Sequence, residues 1–225
     1  MGRIEHLRAM EFGNYWETSY EVPVVEASLD SIQEVLRTVI QNPGKRSAIL
    51  YTFAHREGLE LVLVLPTGKP LRRTVDHVSS TELKRTVIQF RRRLTNRSLG
   101  SLPTTSTYLP ASQKLYRWIV EPFRSVLDEN AIDVIQFSLD PGLRSLPVAA
   151  LHDGEQFLIE NFAVAAIPSF TLLNSNYRPL ERTTVLAAGT SQFETLPELP
   201  AVPVEAARID AHWDTVDLLG EDFTL

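Results

Sequence analysis

Apolar positions along the chain recur with two different periods, and the change from one to the other divides it. Near the start, Ile4, Leu7 and Met10 fit one face of a short helix. Ser28 or Asp30 can cap a second helix, in which Ile32, Val35, Leu36 and Val39 share a face, and Asn42-Pro43-Gly44-Lys45 ends it. Three runs then read as strands: Ala48 to Ala54, Glu60 to Leu65 and Pro70 to Val75. Turns at Arg56-Glu57-Gly58 and Pro66-Thr67-Gly68-Lys69 join them, which predicts an antiparallel meander. Leu83, Val87, Phe90 and Leu94 form an apolar stripe at helical spacing within a helix over 80–99. The Ser/Thr/Pro-rich stretch from Leu99 to Pro110 reads as a loop. A further helix runs from Ser112 to Glu129, with Pro122 placed to kink it.

Beyond residue 130 buried-looking strands alternate with helices. Ile132 to Leu139 is a strand ending at the tight turn Asp140-Pro141-Gly142. Phe162 to Ile167 reads as a buried strand, with a helix from Pro168-Ser169 through Leu173. Thr183 to Ala188 reads as another buried strand, Pro203 to Trp213 as a helix, and Thr215 to Leu219 as a strand parallel to Thr183 to Ala188. This alternation predicts an α/β fold, a caspase-like sandwich with a mostly parallel sheet flanked by helices, beside the N-terminal antiparallel meander. The sequence stops soon after its last strand, where Asp222 or Thr224 would cap a following helix. We therefore expect a fragment whose last strand lacks cover and whose open sheet edge favours self-association.

Composition narrows the chemistry. The 225 residues include no cysteine, which excludes disulfides, thiolate zinc sites and a cysteine nucleophile within this sequence. The formal net charge of -6 makes the chain a poor general nucleic-acid binder, although a local basic patch can still exist. The N-terminus has no apolar signal core, and the apolar runs Leu61 to Leu65 and Phe162 to Ile167 fall far short of the roughly 20 residues that span a bilayer. No membrane partner and a cytoplasmic location are expected.

His6, His55, His77, His152 and His212 are scattered, no two within one helical turn, and are read as decorating turns or surfaces; no metal is expected. No phosphate-binding glycine motif occurs. Gly189-Thr190-Ser191 follows an apolar strand but lacks a second glycine and a nearby lysine, so it reads chiefly as a plain loop, with a nucleotide site as the minor alternative. Glu221 and Asp222 have nothing to bury them, and Asp140 and Asp153 read as turn-formers. No catalytic or cofactor-binding residue is assigned. One cluster remains: Lys84, Arg85, Arg91, Arg92, Arg93 and Arg97 on a single helix, a solvated face or a docking surface for an acidic partner or a phosphate backbone. No aromatic residue interleaves with it, which weakens a single-strand nucleic-acid reading.

From Ile132 to Ser169 the order of features becomes specific: a strand, then Asp-Pro-Gly-Leu-Arg-Ser-Leu-Pro, then Ala-Ala-Leu-His-Asp-Gly, Phe-Leu-Ile-Glu, an apolar strand and Pro-Ser. Val-Leu-Ala-Ala-Gly, Leu-Pro-Glu-Leu-Pro, Glu205-Ala206 and Leu218-Leu219-Gly220 follow. This order resembles the CHAT domain, a caspase- and separase-like region of bacterial proteins often found after tetratricopeptide repeats. The resemblance runs from about residue 28 to the end. Active members are cysteine peptidases with His-Gly after one strand and a Ser-Ala-Cys-like motif after the next. Here no cysteine exists and no histidine precedes glycine, so no family catalytic residue transfers. The resemblance implies an N-terminal helical segment over 1–45, a pseudo-protease-like lobe over 46–180 and the truncated beginning of a catalytic lobe over 181–225. The chain would be a non-catalytic support for a Cys/His site lying beyond it, with the rest of the CHAT domain and tetratricopeptide repeats as protein partners. The alternative is a stand-alone protein-binding module on a caspase-like scaffold.

Overall fold

The structure is a computed structural model and describes residues 3–8, 28–38, 45–95, 105–170 and 183–220. It contains two compact units, Met1–Ser175 and Asn176–Leu225.

The first unit opens with α1 (residues 3–8) and α2 (Leu29–Thr38). The Ser31 N–H donates to the Ser28 hydroxyl at 3.0 Å, so Ser28 is the cap of α2. Ile32 and Leu36 are buried, as their spacing predicts. The meander follows as β1 (Ser47–His55), β2 (Gly58–Val64) and β3 (Leu71–Val75), paired antiparallel in sequence order. Then come α3 (Ser80–Thr95), α4 (Thr105–Ile119), a 3-10 turn over Glu121–Phe123 and α5 (Arg124–Glu129). Pro122 sits in that turn and separates α4 from α5, the kink its ring demands. The unit closes with β4 (Val134–Ser138), α6 (Leu158–Asn161) and β5 (Ala163–Ala166).

All five strands lie in one sheet of order β3-β2-β1-β4-β5. β1 pairs parallel with β4, and β4 with β5. The intervening helices supply the long crossover that a parallel pair requires. The expected mostly parallel sheet is thus corrected: the sheet is mixed, and its longest ladder, between β1 and β2, is antiparallel. The meander did not form a separate layer because β1, its first strand, offers a second edge to β4.

Strict alternation divides the core. Ala48 and Leu50 of β1, Leu59, Leu61 and Leu63 of β2, and Ile135 and Phe137 of β4 pack on one face with Leu83, Val87 and Phe90 of α3 and Leu115 and Ile119 of α4. Ile49, Tyr51 and Val64 face the other way, against Ile32 and Leu36 of α2. Each sheet face therefore carries helices, and strand residues are buried on both sides.

Two local expectations change. Residues 105–110 belong to α4 despite Pro110, because Ala111 and Tyr108 pack against the core and hold that turn helical. Residues 99–104 and 171–173 lie outside the described residues. Strand β5 is not buried: Ala163, Ala165 and Ala166 are exposed, since β5 is an edge strand with one neighbour, while Phe162 and Ile167 at its ends are buried. Only Glu160 can close the N-terminus of α6; its carboxylate accepts the Phe157 N–H at 2.6 Å.

The Asp140 turn forms, with the Leu143 N–H donating to the Asp140 carbonyl at 2.7 Å and the Gly142 N–H to the Asp140 carboxylate at 3.1 Å. Gly142 does not take positive φ, unlike Gly68 at +86° in the β2–β3 turn. A Cβ at Gly142 would meet the Lys84 side chain, its Cε at 2.6 Å and its Cγ at 3.3 Å, and that exposed, flexible side chain can swing away. Gly142→Ala should therefore leave stability within about 0.5 kcal/mol. Gly68→Ala should cost about 1 kcal/mol, because an L-residue is strained there. Urea midpoints of the two variants check the contrast; a larger loss at Gly142 would contradict the geometry.

The second unit is β6 (Val185–Gly189), α7 (Ala201–Asp210) and β7 (Thr215–Leu219), with β6 and β7 parallel. α7 lies on the face that carries Ala187 and Gly189: Ala187 and Ala206 are buried, and a Cβ at Gly189 would touch Val202 at 3.5 Å. Leu186, Val216 and Leu218 point to the opposite face and are exposed. The buried strand expected over 183–188 is corrected accordingly. Two strands and one helix cover one face of this unit, and Ala187 is the one buried residue of β6.

Candidate functional site

No group of three or more His, Asp or Glu among the described residues is placed to hold a metal ion. His6, His55, His77 and His212 are exposed. His152 is buried; its Nδ1 accepts the Gly154 N–H at 3.0 Å, and its ring stands edge-on to Phe157 at 4.8 Å. Its role is to shape the turn into α6. The Gly189 loop closes on itself: the Thr190 hydroxyl donates to the Gln192 carbonyl at 3.1 Å, and the Leu199 N–H to the Ser191 carbonyl at 2.9 Å. Glu221 and Asp222 lie outside the described residues. A groove of about 310 Å³ opens at the amino ends of β4 and β5, beside Lys45, Asp133, Ile159 and Phe162. Asp133 is already engaged there by Lys45 at 2.6 Å and the Arg46 N–H at 2.8 Å, which together hold its carboxyl below the usual range.

The most developed polar arrangement is one the sequence pattern hid. The Ile4, Leu7, Met10 spacing predicts an apolar inner face for α1, yet Leu7 is 51% exposed while Glu5 and Arg8 are buried. The Tyr51 hydroxyl donates to the Glu5 carboxylate. The Ser169 hydroxyl and the Phe170 N–H donate to its other oxygen, each at 2.6 Å. Arg8 donates to the Thr52 carbonyl at 2.5 Å and lies 4.9 Å over the Phe53 ring. Glu5 and Arg8 thus tie α1 to β1 and to the segment after β5. A Glu and an Arg three residues apart on a short helix were the available signal, but nothing in the sequence says that such a pair points inward. Fully enclosed, these groups have no route to a substrate and serve as a lock.

Burial, and then the Glu5 charge, push the Tyr51 hydroxyl far above its ordinary value. Its folded-state pKa is raised, so its contribution is fully present below about pH 10, the unfolded value, and is lost as pH rises. Above that point the unfolded chain releases a proton that the native state keeps, and stability falls by about 1.4 kcal/mol per pH unit. Tyr51→Phe should flatten this alkaline slope. Equal slopes for the two proteins in urea titrations at alkaline pH would show that Tyr51 is accessible to solvent.

The basic cluster resolves into distinct roles. Lys84, Arg85, Arg91, Arg92 and Arg93 of α3 are all exposed. Arg93 turns aside and donates to the Thr107 carbonyl at 2.7 Å, joining α3 to α4. Arg97 lies outside the described residues. Lys84, Ile88 and Arg91 stack at helical spacing, with Arg85 and Arg92 beside them. None of these four cations has a carboxylate within ion-pair distance among the described residues. Elsewhere Lys45, Arg72, Lys114 and Arg124 are paired with Asp133, Glu60, Glu82 and Asp128. Glu82, the acidic residue of the first turn of α3, is drawn to Lys114, which holds its carboxyl below the usual range.

The stretch that links β4 to α6 is a packing motif. Leu143, Leu146, Val148 and Leu151 are buried, and the Ser112 hydroxyl of α4 donates to the Ala150 carbonyl at 2.6 Å. Among the described residues no helix is long and apolar enough to cross a membrane. None of the curated proteins matches the chain. The family model of the CHAT domain matches residues 109–225, from α4 through β7 and beyond, with the meander and α3 preceding the matched region. That region is more than half of the sequence and contains the packing motif, so the chain belongs to the CHAT-domain family.

Proposed function

We propose that this chain is a non-catalytic part of a caspase-like CHAT peptidase, giving structural support to a cysteine–histidine site that its own sequence does not carry. The observation that carries this reading is a CHAT-domain match in a sequence with no cysteine. A Cys–His enzyme needs both groups within hydrogen-bond reach on a rigid frame. The mixed sheet, covered on both faces by helices, is such a frame. Its partners on this reading are other parts of a CHAT domain and tetratricopeptide repeats, in the cytoplasm. Purified chain should turn over a peptide library no faster than buffer, with or without a thiol alkylator. Peptidase activity that stays with the chain through repeated purification would overturn the proposal.

A second reading, a protein-binding module on the same scaffold, is favoured by one observation: four exposed cations of α3 that have no carboxylate within ion-pair distance among the described residues. It and the first reading share the absence of catalysis and differ in whether the chain acts by itself.

A further inference from the structure

We propose that the outer face of α3 binds an acidic amphipathic segment of a partner protein, seated on Ile88 and held by Lys84, Arg85, Arg91 and Arg92. This rests on the protein-binding reading and names its partner chemistry.

Charge is the first argument. Between Lys69 and Arg97 the sequence holds nine basic residues and two acidic ones, in a chain of net charge -6. The excess is therefore local. Solvated surfaces usually intersperse the two signs, and most other described ion pairs of this protein follow that habit. Glu82, the one carboxylate of α3, is held by Lys114 of α4 at 2.7 Å, and the helix carries no other acidic residue. Its electrostatic complement is a surface of carboxylates, which would also be steered toward it in solution.

Ile88 is the second argument, because it separates partners of the same charge. It is 50% exposed and lies in the middle of the four cations. A phosphate backbone has no apolar group to cover it, and no aromatic side chain accompanies it to stack a base. A protein segment with an apolar anchor between acidic residues covers the isoleucine and meets the cations together. Anchors ringed by polar contacts are where binding energy concentrates in such interfaces. The face is also set for binding. Phe90, Leu83 and Val87 fix α3 to the core, the Lys84 stem rests against Gly142, and Arg93 pins the helix to Thr107, so little order remains to be imposed.

The test is fluorescence anisotropy on the full chain with three probes of equal negative charge: a synthetic helical peptide with leucines flanked by glutamates, polyglutamate, and a short oligonucleotide. The amphipathic peptide should bind about tenfold more tightly than the other two. Ile88→Ser should remove that preference, and the double variant Arg85→Glu, Arg92→Glu should lower affinity for the peptide by at least about tenfold. The double variant Arg56→Glu, Lys69→Glu, an equal change in charge at exposed positions outside α3, should leave it unchanged. Binding should weaken steeply as salt rises from about 0.05 to about 0.5 M. Polyglutamate or the oligonucleotide binding as well as the peptide would overturn the proposal. So would Ile88→Ser behaving like the parent. Circular dichroism of each variant keeps misfolding from imitating a loss. Peptidase activity is read in a separate assay, so the failure of this inference and of the non-catalytic reading are told apart.

Discussion

Glu5→Ala is expected to destabilise the first unit by about 3–5 kcal/mol, the range for removing one partner of a buried charge arrangement. The carboxylate accepts from the Tyr51 hydroxyl, the Ser169 hydroxyl and the Phe170 N–H, all in a region sealed from solvent. Alanine removes the acceptor of the Tyr51 hydroxyl and the Phe170 N–H, leaves the Ser169 hydroxyl only the longer bond to the backbone carbonyl of residue 5 at 3.3 Å, and takes away the negative charge one turn from Arg8. Each stranded donor alone costs about 1–3 kcal/mol. Glu5→Gln keeps the shape and part of the hydrogen bonding, so it should fall between parent and alanine. The loss is capped by the free energy with which α1 docks, since that helix can detach before the sheet unfolds. Urea denaturation combined with hydrogen exchange at residues 5–8 separates the two responses. A change below about 1 kcal/mol, with exchange unaltered, would mean that the enclosed network contributes little.

Phe137→Ala should cost a comparable amount, about 3–5 kcal/mol. Phe137 is fully buried in β4, the strand between β1 and β5, and lies in the cluster shared by β1, β2, α3 and α4. Its removal leaves a cavity at the junction of the antiparallel and parallel halves of the sheet. Leu186→Ala in β6 removes a side chain that is 62% exposed, and should change stability by no more than about 0.5 kcal/mol. Similar losses in thermal melts at both positions would show that the second unit buries Leu186.

Much of the local structure was readable because it depends on neighbours in sequence. The Leu83, Val87, Phe90 stripe of α3, the capping Ser28 and the turns that set the meander each involve residues a few positions apart. Likewise Asp140-Pro141-Gly142 makes its turn from its own hydrogen bonds, although the backbone sign of Gly142 was not inferable from its being a glycine. The order of motifs from Ile132 onward was specific enough to identify the family, and the matched region confirms it over residues 109–225. The basic helix was visible as a cluster, but not its division into Arg93, spent on Thr107, and four cations without a carboxylate partner among the described residues.

What the sequence by itself determined is most of the helix and strand segments, the apolar stripes of α2 and α3, and that no cysteine chemistry can occur within it. The tertiary structure decided how many neighbours each face received. An apolar run records a tendency to be buried, but burial requires a partner, and β5 and β6 each received too few to hide their side chains. The same reason governs Glu5 and Arg8. A charge enters the core only where distant groups satisfy it, and here one of those groups, Ser169, stands 164 residues away. Periodicity carries no information about a contact at that separation, so the lock on α1 exists only in the folded chain.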